Sequence, residues 1–119
     1  MGLKGLISEF KDNYVVKQVA KAVLPDFDDS EVKRIKITFA GKVQNVGFRL
    51  EIAELAKRLG LTGFAKNLAD GKVAVEIQGP KAKIDYVVSF MEHLKRIKIT
   101  DKVVCEIDVK EKETGFEQL

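Results

Sequence analysis

Gly41-Lys42-Val43-Gln44-Asn45-Val46-Gly47-Phe48-Arg49 lies between two runs of different periodicity. Before it, across residues 34–40, Ile35, Ile37 and Phe39 alternate with Lys36, Thr38 and Ala40, the period of two that marks a half-buried strand. After it, Phe48, Ile52, Leu55, Ala56 and Leu59 recur at helical spacing, and Gly60 suits a C-terminal cap. A loop that ends a strand and opens a helix collects unpaired backbone N–H groups at the positive end of the helix dipole. Such a loop suits an anion, phosphate above all. Arg49 adds a planar cation that can grip two oxygens at once. Taken alone, an arginine at a helix start is an ordinary surface charge.

The chain after Gly60 gives this loop a setting. Residues 61–67 form a second strand, weakened in pattern by Gly63, and Asp70-Gly71 supplies turn chemistry. Val73, Val75 and Ile77 alternate as a third strand, which Gly79-Pro80 ends, with Pro80 suited to the first turn of a helix. Ile84, Val87, Val88, Met91 and Leu94 give that helix its buried stripe. Val103, Cys105, Ile107 and Val109 alternate as a fourth strand, with Cys105 read as a small core hydrophobe, and Gly115-Phe116 opens a short fifth. The order β-α-β-β-α-β predicts an α+β, ferredoxin-like sandwich: an antiparallel sheet with both helices on one face. The other face is left for solvent or for the N-terminal segment. In this topology the third strand separates the first and second, which run parallel and end at one edge. Asn67 at the end of the second strand then stands about 10 Å of backbone from the loop, two strand spacings away.

Upstream, Leu3, Leu6, Ile7, Phe10, Tyr14, Val15, Val16, Val19, Ala20 and Val23 predict helix over residues 2–24, with a break at Asp12-Asn13. Pro25 and the acidic run Asp26, Asp28, Asp29, Glu31 read as a linker. The chain thus divides into an N-terminal helical extension and acidic linker, 1–33, and a domain, 34–119. The extension would dock on the domain or on a second copy, giving a homodimer.

Composition narrows the partners. The net charge is +3, of which residues 1–32 contribute −2 (four Lys against six Asp/Glu), so the remainder carries +5. That mild basic excess fits a small anion and falls short of a nucleic-acid footprint. The third strand, Lys72 to Gln78, also lacks the aromatic side chains on which RNA-binding domains of this topology stack bases. Cys105 is the only cysteine, so no intramolecular disulfide forms and no C-x-x-C metal pair exists. No apolar run reaches the roughly 18 residues of a membrane span, and the N-terminus lacks the order of a secretory signal. Cytoplasmic placement is expected.

The loop Gly41 to Arg49 resembles the first signature of the acylphosphatases, G-x-V-Q-G-V-x-F-R. Gly63-Phe64-Ala65-Lys66-Asn67, followed by Gly71, Val73 and Gly79, is similar to their second, G-[FYW]-[AVC]-x-N-x-x-x-G-x-V-x-x-x-x-x-G. The resemblance spans about residues 34–117. It implies hydrolysis of the carboxyl–phosphate bond of a small-molecule acyl phosphate to carboxylate and inorganic phosphate, without metal or cofactor. It implies Arg49 and Asn67 as catalytic residues, Arg49 holding the phosphate and Asn67 orienting the attacking water. It implies a phosphate-binding set of Val43, Gln44, Asn45, Val46, Gly47, Phe48 and Arg49, which would also take a phosphate or sulfate ion. Lys42 and Lys66 either attract the substrate or are simply solvated, and His93 is expected to face solvent.

One position departs from that pattern: Asn45 stands where the family has glycine. If φ is positive there, Asn is the best tolerated alternative to Gly, yet strained relative to it. The alternative reading is therefore a catalytically weakened anion-binding or regulatory module with a partner-binding N-terminal helix. Phe39, where the family prefers an aliphatic residue, is expected to affect packing alone.

Overall fold

The computed structural model describes residues 24–119. The helix expected over residues 2–24, Leu24 apart, and a homodimer formed through it lie outside the described residues. Seven elements follow in the order β1 (Val32–Lys42), α1 (Phe48–Leu59), β2 (Thr62–Asn67), β3 (Val73–Pro80), α2 (Lys81–Glu92), β4 (Lys98–Ile107) and β5 (Phe116–Gln118). The sheet order is β4-β1-β3-β2-β5. β3 is antiparallel to both β1 and β2, and β4 is antiparallel to β1. This is the expected α+β, ferredoxin-like arrangement with one refinement: β5 joins β2 in parallel, so the sheet is mixed at that edge. No helix of the described residues is long and apolar enough to cross a membrane.

Period two sorts β1 as expected, burying Ile35, Ile37 and Phe39 while Lys36 stays exposed. Phe48, Ile52, Leu55 and Ala56 of α1 and Ile84, Val87 and Met91 of α2 join them, with Ala65, Val75 and Ile77, in one core. The Phe39 and Phe48 rings meet at 5.0 Å with planes at 56°. Phe39 thus acts in packing, and it seats the first turn of α1 on the end of β1. Each such ring contributes about 1.5–3 kcal/mol by burial. At its far end α1 closes in a Schellman turn: Gly60, at φ 72, donates to the Lys57 carbonyl, and Leu61 donates to the Ala56 carbonyl at 2.8 Å.

Several local expectations change, the simplest being that Leu94, expected in the stripe of α2, lies beyond the helix, which ends at Glu92. β3 runs through Gly79 and Pro80, which pair with Lys33 and Val32, so Pro80 caps α2 and does not enter its first turn. A proline fits the end of a strand, where its missing N–H breaks no ladder bond. The amides of Lys81 and Ala82 are met by Glu31 O at 3.0 Å and Ser30 Oγ at 3.1 Å, while Phe27 packs edge-on to Tyr86 at 5.5 Å. Residues 24–31 therefore lie along α2.

β4 begins at Lys98 and stops before Val109, and Cys105 is exposed, not a core hydrophobe. Cys105 pairs with Lys36 and Val104 with Ile37, so the row Val103, Cys105, Ile107 faces away from the helices. Alternation in a sequence tells which residues share a face; it does not tell which face is covered. On this edge strand neither face is fully covered, and Val103 and Val104 are 63% and 55% exposed.

The sheet face turned away from α1 and α2 is closed locally by a buried charge. Arg34 is fully buried, donating from Nε to Glu76 at 3.0 Å, from Nη1 to Gln78 at 3.2 Å, and from Nη1 and Nη2 to Glu113 at 2.7 and 3.1 Å. Gln78 also trades two hydrogen bonds with the backbone of Lys110, at 2.9 and 2.8 Å. The segment between β4 and β5 is strapped to the sheet by these contacts.

Candidate active site

The site is assembled at the edge where β1 and β2 both end. Phe39 and Asn67 each stand opposite Val73, so Asn67 is level with the last buried residue of β1 before the loop. The register of β1 with β4 shifts between Ala40 and Gly41, a bulge just before the loop, after which Gly41 and Lys42 pair with Ile99 and Lys98. Gly41 is needed there: its φ is 120, and a Cβ would lie 2.1 Å from the Lys98 carbonyl oxygen. Val43, 1% exposed, then anchors the loop in the core.

Gln44 joins this loop to the end of β2. Its Nε2 donates to the Leu68 carbonyl at 2.8 Å and to the Lys72 carbonyl at 2.9 Å. Leu68 directly follows Asn67 and donates its own amide to Lys72 O at 2.8 Å, closing the β2–β3 turn. Asp70 braces that turn by accepting the Lys72 amide at 3.1 Å. The two signature stretches are thus stitched together one residue from Asn67.

Asn45 is exposed and adopts φ 62, the conformation that the family's glycine would take without strain. Gly47 follows at φ 77 and ψ 18 as the cap of α1, and its carbonyl accepts the Glu51 amide at 2.9 Å. As the cap residue, Gly47 offers no side-chain acceptor to the first amides of α1. Arg49, half-buried in that first turn, donates from Nη1 to the Leu119 carbonyl at 2.6 Å. Leu119 in turn donates to the Ala65 carbonyl at 2.9 Å. Arg49 therefore reaches toward the β5–β2 side of the loop, the side on which Asn67 ends β2. Lys42 and Lys66 are exposed nearby, and His93 faces solvent, with Nδ1 2.6 Å from the Ser89 carbonyl oxygen. Among the described residues, no three His, Cys, Asp or Glu side chains gather as metal ligands.

Sequence reading missed two charged residues at this site. Glu51, fully buried in α1, accepts Arg96 Nη2 at 2.8 Å, while Arg96 Nε donates to the Val46 carbonyl inside the loop at 2.9 Å. Burial pushes the Glu51 carboxyl above its ordinary range, and Arg96 only partly offsets that. Glu51 carried a signal, a carboxylate inside the apolar stripe of Phe48, Ile52 and Leu55. Arg96 carried none, because its partners lie 45 and 50 positions away.

Comparison with known proteins gives one answer. The family model described as acylphosphatase matches residues 35–118. An acylphosphatase of Trichormus variabilis is 32% identical over 88 residues, covering 74% of this chain and 87% of its own. One of Vibrio parahaemolyticus is 40% identical over 75 residues, 63% of this chain and 83% of its own. The crystal structure of acylphosphatase from Bacillus subtilis superposes with a TM-score of 0.68 at 29% identity, covering 75% of this chain and 99% of its own. With both signature stretches at one sheet edge and a match over nearly the whole described domain, the chain belongs to the acylphosphatase family.

Proposed function

We propose that Arg49, Asn67 and the loop amides of residues 43–48 carry this enzyme's acylphosphatase reaction, the hydrolysis of a small-molecule acyl phosphate. The observation that carries this reading is the Gln44 bridge to Leu68 and Lys72, which holds the amide-lined loop beside Asn67. The phosphoryl oxygens lie against the loop amides at the start of α1, and Arg49 neutralises their charge. The Asn67 side-chain carbonyl accepts a hydrogen bond from water and aims its oxygen at phosphorus. The new P–O bond forms as the P–O bond to the acyl group breaks, and the carboxylate departs with the electron pair. The water's proton passes to the phosphate product or to solvent. A carboxylate is a weak base and needs no proton to leave, so positioning and charge stabilisation supply the catalysis.

Inorganic phosphate or sulfate fits the same cradle and is expected to compete with substrate. A cytoplasmic setting belongs to this reading, where a reducing environment would keep the exposed Cys105 thiol free. So does the division into an extension, 1–33, and an enzymatic domain, 34–119. The test is benzoyl phosphate turnover. Arg49→Ala is expected to lower kcat/KM by about a thousandfold, and Asn67→Ala to lower kcat by about a hundredfold or more. Equal rates in wild type and both variants would overturn the assignment.

A further inference from the structure

We propose that Arg96 is a positioning residue for the phosphate loop, fixing the peptide between Val46 and Gly47 so that the Gly47 N–H faces the anion. The proposal rests on reading residues 43–48 as the phosphate cradle.

The geometry begins with a trans peptide, whose carbonyl and following N–H point in opposite directions. No peptide bond among the described residues is cis. Arg96 Nε holds the Val46 carbonyl oxygen at 2.9 Å. Arg96 lies between α2 and β4, and β4 flanks β1 on the side away from β3 and β2. A carbonyl held from the β4 side would leave the Gly47 amide turned toward the β2 side, where Asn67 stands.

Two features show why such a hold is needed here. Asn45 and Gly47 both sit at positive φ, 62 and 77, so the backbone reverses on each side of Val46. A loop of that kind has neighbouring conformers in which the peptide flips and presents its carbonyl oxygen to the anion. An ordered cation on the carbonyl disfavours that flip. Glu51 orders the cation: its buried Oε1 accepts Nη2 at 2.8 Å, and it projects from the first turn of α1, directly after the loop. The guanidinium thus ties the middle of the loop to the helix that the loop opens.

The test compares wild type, Arg96→Ala, Arg96→Lys, Glu51→Gln and Arg49→Ala by benzoyl phosphate kinetics and by the Kd of inorganic phosphate. It also follows the amide NMR signal of Gly47 during phosphate titration. Arg96→Ala is expected to raise both KM and the phosphate Kd about tenfold, with a smaller fall in kcat, and to abolish the phosphate-induced shift of the Gly47 amide. Arg96→Lys, which can still donate to Val46, is expected to recover most of the affinity. Glu51→Gln keeps an acceptor for Arg96 but loses the charge that orders the guanidinium, so it is expected to raise KM and the phosphate Kd in the same direction as Arg96→Ala, by about threefold. It remains informative if Arg96→Ala folds poorly. An Arg96→Ala protein with lowered Tm but wild-type KM, phosphate Kd and Gly47 shift would overturn the proposal while leaving the cradle in place. Unchanged phosphate binding and turnover in Arg49→Ala would instead remove the cradle reading, and this proposal with it.

Discussion

Two arginine–glutamate clusters flank β1, and they are finished differently. At its start, on the face turned away from α1 and α2, Arg34 donates from all three guanidinium nitrogens to Glu76, Gln78 and Glu113. Beyond its end, on the helical side, Glu51 bonds Arg96 through one oxygen, while buried Oε2 has no hydrogen-bond partner among the described residues. A saturated buried charge pins structure. A buried carboxylate with an unmet oxygen carries a cost that needs a reason. In the same loop Asn45 holds a positive φ without being glycine, so the unfavourable local features gather at the end where the anion is proposed to bind. One end holds the fold together; the other holds a shape the chain would not choose unaided.

The largest test of this contrast is Arg34→Ala. It leaves Glu76 and Glu113 without the guanidinium that both bond, with only the more distant, exposed Lys110 beside them. The expected loss is about 2–4 kcal/mol, below the range for a wholly buried pair because some solvent reaches both carboxylates. Urea denaturation measures it. Benzoyl phosphate kcat/KM of the folded variant should stay within about twofold, since distant sites act independently. A rise in KM like that expected of Arg96→Ala would erase the distinction between the two ends.

Next in size is Asn45. Asn45→Val places a β-branched side chain at φ 62 and is expected to cost about 1–2 kcal/mol and raise KM. Asn45→Gly should keep the amide directions and stay within about 1 kcal/mol of wild type. Chemical denaturation with parallel kinetics separates the two effects. A silent Asn45→Val would show that the loop tolerates other shapes.

The smallest effect is in the pH dependence of stability, where the two glutamates act with opposite sign. Arg34, bonded to Glu113, holds that carboxyl below its ordinary value of 4.5, with help from Thr62 and Lys110. Its native state binds fewer protons than the unfolded chain, so its contribution is present above 4.5 and is lost as pH falls through the folded pKa. Glu51 lies above 4.5, because burial outweighs Arg96. Its native state binds more protons, so stability falls as pH rises from 4.5 through its folded pKa. Each slope is at most one proton, about 1.4 kcal/mol per pH unit. Urea titrations across pH should lose the acid limb in Glu113→Gln and the opposite limb in Glu51→Gln. Unchanged profiles would mean that both carboxyls ionise as in the unfolded chain.

Much of the site was legible because its signals are local. Arg49 and Asn67 sit in short stretches whose glycines and periodicity mark a loop, a helix start and a strand end. Even the strain at Asn45 was foreseeable from its place in the signature. Cys105 was misplaced because an alternating edge strand offers two equivalent faces, and only pairing with Lys36 shows which one it takes. Pro80 was shifted because its role depends on Val32, a strand partner far upstream in sequence.

By itself the sequence determined the β-α-β-β-α-β order, the loop at 41–49 and the pairing of its signature with that of Asn67. Periods of two and 3.6 and the conformational limits of glycine and proline act over a few neighbouring residues. The tertiary structure alone decided how buried charge is satisfied: Arg34 by Glu113, 79 positions away, and Glu51 by Arg96, 45 positions away. Such pairs leave no periodic trace. Whether a carboxylate is buried, and which cation meets it, is set by the low-dielectric surroundings that the assembled chain creates.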